Sequence, residues 1–130
     1  MKPVLLDTNA FAMVLTDDAR LPVRAKDAIL QASSTSVSAI TFYEIGQKVR
    51  LGKWDAMTPF VERLVDIASE DGFDLISVNP MIALAATLLE WSHRDPFDRM
   101  IAATTIGEGL HLVSSDEAFD QLEGVTRIWK

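Results

Sequence analysis

Apolar positions along the chain fall into short continuous runs separated by longer stretches with helical spacing. Val4-Leu5-Leu6 is one such run, closed by Asp7-Thr8-Asn9. It is too short for a buried helix and suits a central parallel strand. Asn9 to Leu15 can begin a helix, which Asp17-Asp18 and Pro22 interrupt. Val23, Ala25, Ala28, Ile29 and Ala32 then line one face of a second helix, with Pro22 near its first turn. Thr35 to Ser38 has strand character, and Ile40, Tyr43, Ile45, Val49 and Leu51 follow with mostly helical spacing to a stop at Gly52.

Thr58-Pro59 is a good N-cap and N1 pair, so the spacing predicts a helix from there to Asp71-Gly72. Phe73 to Val78 reads as a third strand, and Asn79-Pro80 opens a helix rich in Ala and Leu that reaches about Glu90. Trp91 to Pro96 is mostly polar and reads as a loop. Pro96 starts a helix ending near Gly107 or Gly109, Leu110 to Val113 is a fourth strand, Glu117 to Leu122 a short helix, and Val125 to Trp129 a fifth strand. Strands alternating with helices imply right-handed crossovers. The predicted fold is therefore three-layer α/β/α, with a mostly parallel central sheet of four to five strands. With 130 residues and no linker or repeat, one domain spanning 1–130 is expected.

Composition narrows the chemistry. The chain has no cysteine, which excludes a disulfide framework, a thiol nucleophile and a Cys-ligated zinc site. No apolar run approaches the ~20 residues that span a bilayer. The apolar run after Lys2 is shorter than a secretory signal needs. The expectation is a cytoplasmic protein with no membrane partner. The net charge of −7 argues against nucleic acid as a partner, because phosphate neutralisation normally needs excess Lys and Arg. That argument weakens if the acids gather on a cation, which inverts the local sign.

The predicted positions of the acids invite that reading. Ligands of an open parallel sheet bind beyond the carboxyl ends of its strands. Asp7 ends the first strand and Asp116 follows the fourth. Glu44 lies early in the helix after the second strand, and Asp98 in the first turn of the helix before the fourth. Each has a plain alternative. Asp7 can begin a turn. Thr41 with Glu44 matches a capping box. Asp95-Pro96-Phe97-Asp98 reads as N-cap, N1 proline and N3 acid, and Asp116 can cap the helix that follows. Packed together, four carboxylates would repel one another, and a cation is the usual remedy. Hard oxygen ligands favour Mg²⁺ or Mn²⁺. A cation so held can activate water and neutralise charge on a phosphoryl group.

Four segments then carry a resemblance. Leu5-Leu6-Asp7-Thr8-Asn9-Ala10-Phe11, Thr41-Phe42-Tyr43-Glu44-Ile45, His93 to Ala103 around Asp95-Pro96-Phe97-Asp98-Arg99, and Leu112 to Phe119 resemble the PIN domain. The bacterial VapC toxins of type II toxin–antitoxin pairs are the most similar members, and the likeness covers essentially the whole chain. The resemblance implies a metal-dependent endoribonuclease acting on RNA, often tRNA or rRNA. Asp7, Glu44, Asp98 and Asp116 would form its metal site, with Asn9 and Ser114 as polar supports. It also implies a homodimer and a cognate antitoxin that blocks the site.

Other residues are expected around this centre. Asp95 shapes the loop before its proline. Arg94 and Arg99 flank the site and could contact phosphate, as Arg geometry allows, or sit in ordinary surface or ion-pair roles. His93 and His111 could be acid–base groups or metal ligands, with structural or solvent-facing roles favoured for both. Lys48, Arg50 and Lys53 could track an RNA backbone or simply end a helix. Trp54, Trp91 and Trp129 could stack on bases, with packing favoured. Phe11, Met13, Val14 and Leu15 are assigned to the core, with an antitoxin or partner-subunit face as the alternative. Two competing functions fit less well. A receiver-like signalling module usually needs a late Lys near its acids, and none lies between Lys53 and Lys130. A haloacid-type phosphatase begins Asp-x-Asp, whereas Asn9 stands two positions after Asp7.

Overall fold

The computed structural model describes residues 2–130. Its sheet has five strands: β1 (Val4–Leu6), β2 (Thr35–Ser38), β3 (Asp74–Ile76), β4 (His111–Val113) and β5 (Arg127–Ile128). Their spatial order is β3-β2-β1-β4-β5, and every pairing is parallel. Six α-helices connect them: α1 (Thr8–Leu15), α2 (Val23–Gln31), α3 (Ala39–Arg50), α4 (Leu64–Glu70), α5 (Pro80–Leu88) and α6 (Pro96–Gly107).

The sheet has two buried faces because its central strand, β1, is apolar at every position and Val37, Leu112 and Val113 of its neighbours are buried beside it. Side chains alternate between faces with a period of two. Val4 and Leu6 of β1 join Val37 and Val113 on one face, against Phe11, Ala25, Ile45 and Ala68 of α1 to α4. Leu5 and Leu112 point to the other face, against Ile101 and Ala102 of α6 and Phe119 of the 3-10 turn Glu117–Gln121. Helix α5 packs outside α6 through Ile82, Ala86 and Ala103. The result is the predicted three-layer α/β/α arrangement.

The central strand, β1, sits between β2 and β4. The chain leaves β1 toward β2 and β3, then returns to place β4 on its other side. After β1 it enters the helical layer containing α1; after β4 it enters the opposite layer. The crevice between the carboxyl ends of β1 and β4 is thus the topological switch point, where such sheets bind ligands.

Three local expectations change. The helix predicted from Thr58 begins only at Leu64, after 3-10 turns at Asp55–Met57 and Val61–Arg63. Thr58 has helical φ and ψ and so cannot act as an N-cap. These tighter turns carry Met57 and Phe60 onto the core, a tertiary gain that a regular helix in this segment forgoes. Strands β3 and β5 are shorter than the apolar runs that predicted them, as edge strands commonly are. The segment Glu117–Gln121 is a 3-10 turn.

Candidate functional site

Asp7 follows β1 directly, and its backbone N–H donates to the Val113 carbonyl at 3.1 Å, stitching it to the end of β4. Its carboxylate caps α1, with Oδ1 accepting from the Ala10 N–H at 2.8 Å. Asp7 is thus a helix cap and not only the start of a turn, and the cap uses one of its two oxygens. Asp7 is almost fully buried. Burial pushes its pKa up to about 6. Hydrogen bonds from the Ser114 hydroxyl and the Ala10 N–H oppose the rise, whereas the Asp98 and Glu44 charges add to it.

Ser114 lies between Asp7 and Asp116. It is fully buried at the end of β4, and its Oγ accepts from the Asp116 N–H at 3.0 Å. Asp116 in turn caps the following 3-10 turn, accepting from the Ala118 N–H at 2.9 Å. Arg127, which the sequence did not single out, braces the same turn. Its guanidinium donates to the Ser114 carbonyl at 3.1 Å and pairs with Asp120 at 2.9 Å.

Asp98 arrives from the other layer. Asp95 caps α6 by accepting from the Phe97 N–H at 2.8 Å, Pro96 takes the N1 position, and Asp98 falls in the first turn. The loop before α6 brings this acid beside Asp116, which follows β4. Asp98 makes no capping bond; its Oδ2 meets His93 Nε2 at 2.7 Å. Burial raises its pKa, the His93 hydrogen bond lowers it, and the charges of Asp95 and Asp116 raise it again. His93, Asp98 and Asp116 each offer a ligand atom, and these atoms lie within 4.8 Å of one another. Two of the acids predicted to converge are thus close enough to share a cation, with a histidine that the sequence reading left as structural.

Glu44 approaches from α3. The capping-box alternative for it falls away, because α3 begins earlier, at the Ser38 cap, whose Oγ accepts from the Ile40 N–H at 3.1 Å. Thr41 is buried inside the helix, bonded hydroxyl to hydroxyl with Thr8 at 3.0 Å. Glu44 is itself buried and pairs with Lys48 Nζ at 2.8 Å. Lys48 also lies 5.3 Å from the centre of the Trp54 ring. Glu44 and Asp7 stand outside the His93–Asp98–Asp116 group, yet Asp7 senses both Glu44 and Asp98 through its pKa.

The arginines part company. Arg94 is exposed beside the site. Arg99 turns away from it. Its Nε donates to Ala86, one terminal nitrogen to Trp91 and His93, and the other to Thr87 and Leu89, all at 2.7–3.2 Å. A guanidinium has five N–H groups. All are committed to backbone carbonyls, so the phosphate role weighed for Arg99 has no donor left to serve it. Arg99 instead ties down the segment between α5 and α6. The Trp91 ring lies 4.8 Å from His93 and 5.3 Å from Phe119, and its indole N–H donates to Ala118. The polar loop of the sequence reading is therefore a tightly bonded shelf that aims His93 at Asp98. The mixed polar and aromatic composition of 91–95 gave no periodic signal from which to read it.

The remaining candidates spread out. Asn9 is exposed on the first turn of α1, beside the crevice. His111 opens β4 at the opposite edge of the sheet. Phe11 is core, edge-on to Phe42 and Phe73. Met13 and Val14 line a surface cleft of about 280 Å³ with Leu21, Ile29 and Leu30.

Comparison with known proteins agrees with this fold. The PIN-domain profile matches residues 4–125. Ribonuclease VapC22 of Mycobacterium tuberculosis is 30% identical over 117 residues, covering 89% of this chain and 88% of the relative. A toxin–antitoxin complex from Klebsiella pneumoniae superposes with a TM-score of 0.68 at 22% identity, covering 95% of each chain. The DNA-bound VapBC of Salmonella typhimurium gives 0.67 at 19%, covering 98% of this chain and 97% of that one.

Proposed function

The chain belongs to the PIN-domain family, and from that premise we propose that it is a metal-dependent endoribonuclease, the toxin of a type II toxin–antitoxin pair. One observation carries the reading: Asp98 and Asp116, far apart in sequence and partly buried, come within 4.8 Å of one another, and the charges of Asp98 and Glu44 add to the raised pKa of buried Asp7, a repulsion that a cation would relieve. The relative named a ribonuclease supports the activity, and the toxin–antitoxin complexes among the structural neighbours support an antitoxin partner.

Asp98 and Asp116, with Asp7 behind them, offer the oxygen donors that suit Mg²⁺ or Mn²⁺. When bound, such a cation lowers the pKa of a water and offsets charge on the phosphoryl oxygens. His93 suits these hard ions poorly as a ligand. Its contact with Asp98 fits the orienting role that partners of ligating groups usually fill. Ser114 holds Asp7 and Asp116 in register, and Asn9 faces the incoming strand. Glu44, paired with Lys48 in this structure, would serve as a further ligand or orient the attacking water. Arg94 is the exposed arginine free to meet phosphate, and Asp95 holds the start of α6. No covalent intermediate is required.

The same reading takes residues 1–130 as one domain, the working form as a cytoplasmic homodimer, and the substrate as tRNA or rRNA. The test is direct. Purified chain freed of any partner is mixed with labelled RNA in Mn²⁺ or in EDTA. Cutting is expected only in Mn²⁺. Asp7→Asn should reduce it by about 1000-fold while the fold is retained, consistent with the several kcal/mol such centres supply. Cutting that is equal in EDTA, or undiminished in Asp7→Asn, rejects the assignment.

A further inference from the structure

A second cavity, of about 340 Å³, is lined by Asn9 and Ser115, sequence neighbours of Asp7 and Asp116. One wall is a stripe of α1, Asn9, Met13 and Thr16, spaced to share a helix face. The other is the turn after α3, with Trp54, Ala56 and Met57. Ser115 closes the end nearest the site. That end is chemically continuous with the catalytic edge. Ser115 sits between Ser114 and Asp116, and Asn9 lies two residues beyond Asp7.

The geometry points to this cavity as a subsite for an unpaired nucleobase of the RNA strand, next to the phosphate that is cut. The inference rests on the ribonuclease reading above and adds what that reading leaves open, how the strand is held. The size is at the lower end for ligand pockets, suited to one ring system. The wall is mixed, as a base requires. Trp54 and Met13 offer aromatic and apolar surface, Asn9, Thr16 and Ser115 offer hydrogen-bonding groups for the base edges, and the Asp18–Arg20 ion pair also lines the cavity. Splayed bases are held in this way by single-strand-binding sites. Lys48 adds a second, independent sign. Its ammonium contacts both the Glu44 carboxylate, at 2.8 Å, and the ring of Trp54, a residue of the cavity wall, at 5.3 Å. A cation there can meet the backbone that joins the scissile phosphate to the seated base. The cleft between α1 and α2 differs: Met13, Val14, Leu21, Ile29 and Leu30 give it a mainly apolar wall, beside Asp17, Asp18 and Lys26, suited to side chains of a protein partner.

The test uses short RNA strands with one mapped cut, each carrying an abasic ribose at a different position. Rates are measured in Mn²⁺ with the intact chain and with Ala56→Leu, an exposed substitution that fills the cavity. For the intact chain, removing the base at one position beside the cut should raise KM by about tenfold, with a smaller change in kcat. Ala56→Leu should raise KM by a similar factor for intact RNA and show no further loss at that abasic position. Trp54→Ala should act like Ala56→Leu, and Trp54→Phe should recover most of the affinity. Equal KM at every abasic position, or the same position-dependence in Ala56→Leu, overturns the subsite while leaving the ribonuclease standing. If no strand is cut, the same series is read as equilibrium binding by fluorescence anisotropy. Loss of affinity at one position, abolished by Ala56→Leu, supports the subsite on its own, and uniform affinity rejects it. Displacement of a bound peptide by Ala56→Leu, with RNA binding unmoved, would assign the cavity to a protein and also reject it.

Discussion

Asp7 shows how one side chain serves fold and site together. One oxygen completes the first turn of α1, and the rest of the group faces a crevice that other acids share. The burial that places it there also makes its charge expensive. With a folded pKa of about 6 against an ordinary 3.8, Asp7 binds a proton more tightly when folded than when unfolded. The native state therefore holds more protons across that window, and stability from this group falls as pH rises from about 4 to about 6, then levels off. In EDTA, thermal melts should show that decline in the native chain, and Asp7→Asn, which still caps α1, should show a shallower one, left by the raised pKa of Asp98, and melt higher at pH 7. Added Mn²⁺ should raise the native melting temperature more at pH 7 than at pH 5, because a cation must compete with the proton. A native curve parallel to that of Asp7→Asn from pH 4 to 7 would contradict the account. Asp7, Asp98 and Asp116 were legible in the sequence because each follows a strand end or a Pro-marked helix start. The setting of Glu44 was not, since Thr41 imitates a cap and only the full length of α3 reveals Ser38 as the real one.

The elements that matter most for the site are the least regular. Apolar runs and Pro or Asn caps made α5, α6 and the central strands readable from sequence, because local preference and burial agree there. The turns over 55–63 and the segment between α5 and α6 were not readable. Their conformations come from distant contacts: Met57 on the core, and the Arg99 guanidinium on five carbonyls. Arg99→Lys keeps the charge but offers three donors where five carbonyls wait. Two or more of these carbonyls then lose their partner, at a cost of about 2–3 kcal/mol. Amides of residues 89–95 should exchange faster with solvent. Activity should drop by about 10–100-fold, the usual effect of disturbing a group that orients a metal ligand. If Arg99→Lys matches the native chain in exchange and in rate, the shelf does not position His93.

For the molecule as a whole, the alternation of strands and helices was enough to predict a parallel sheet with both faces covered. The strand order was not in the pattern, yet it is the order β3-β2-β1-β4-β5 that opens the crevice between β1 and β4. The net charge of −7 is then less of an obstacle to RNA than it first looks, because part of the acidity is concentrated where a cation can reverse its sign. All of this depends on that cation. The most direct test is a crystal grown near pH 7 with Mn²⁺ and examined at the manganese absorption edge. The account predicts an anomalous peak between β1 and β4, with oxygens of Asp98 and Asp116 within about 2.5 Å and Asp7 facing the ion directly or through a water. A crevice without a peak at saturating Mn²⁺, or a peak held by other residues, would contradict it.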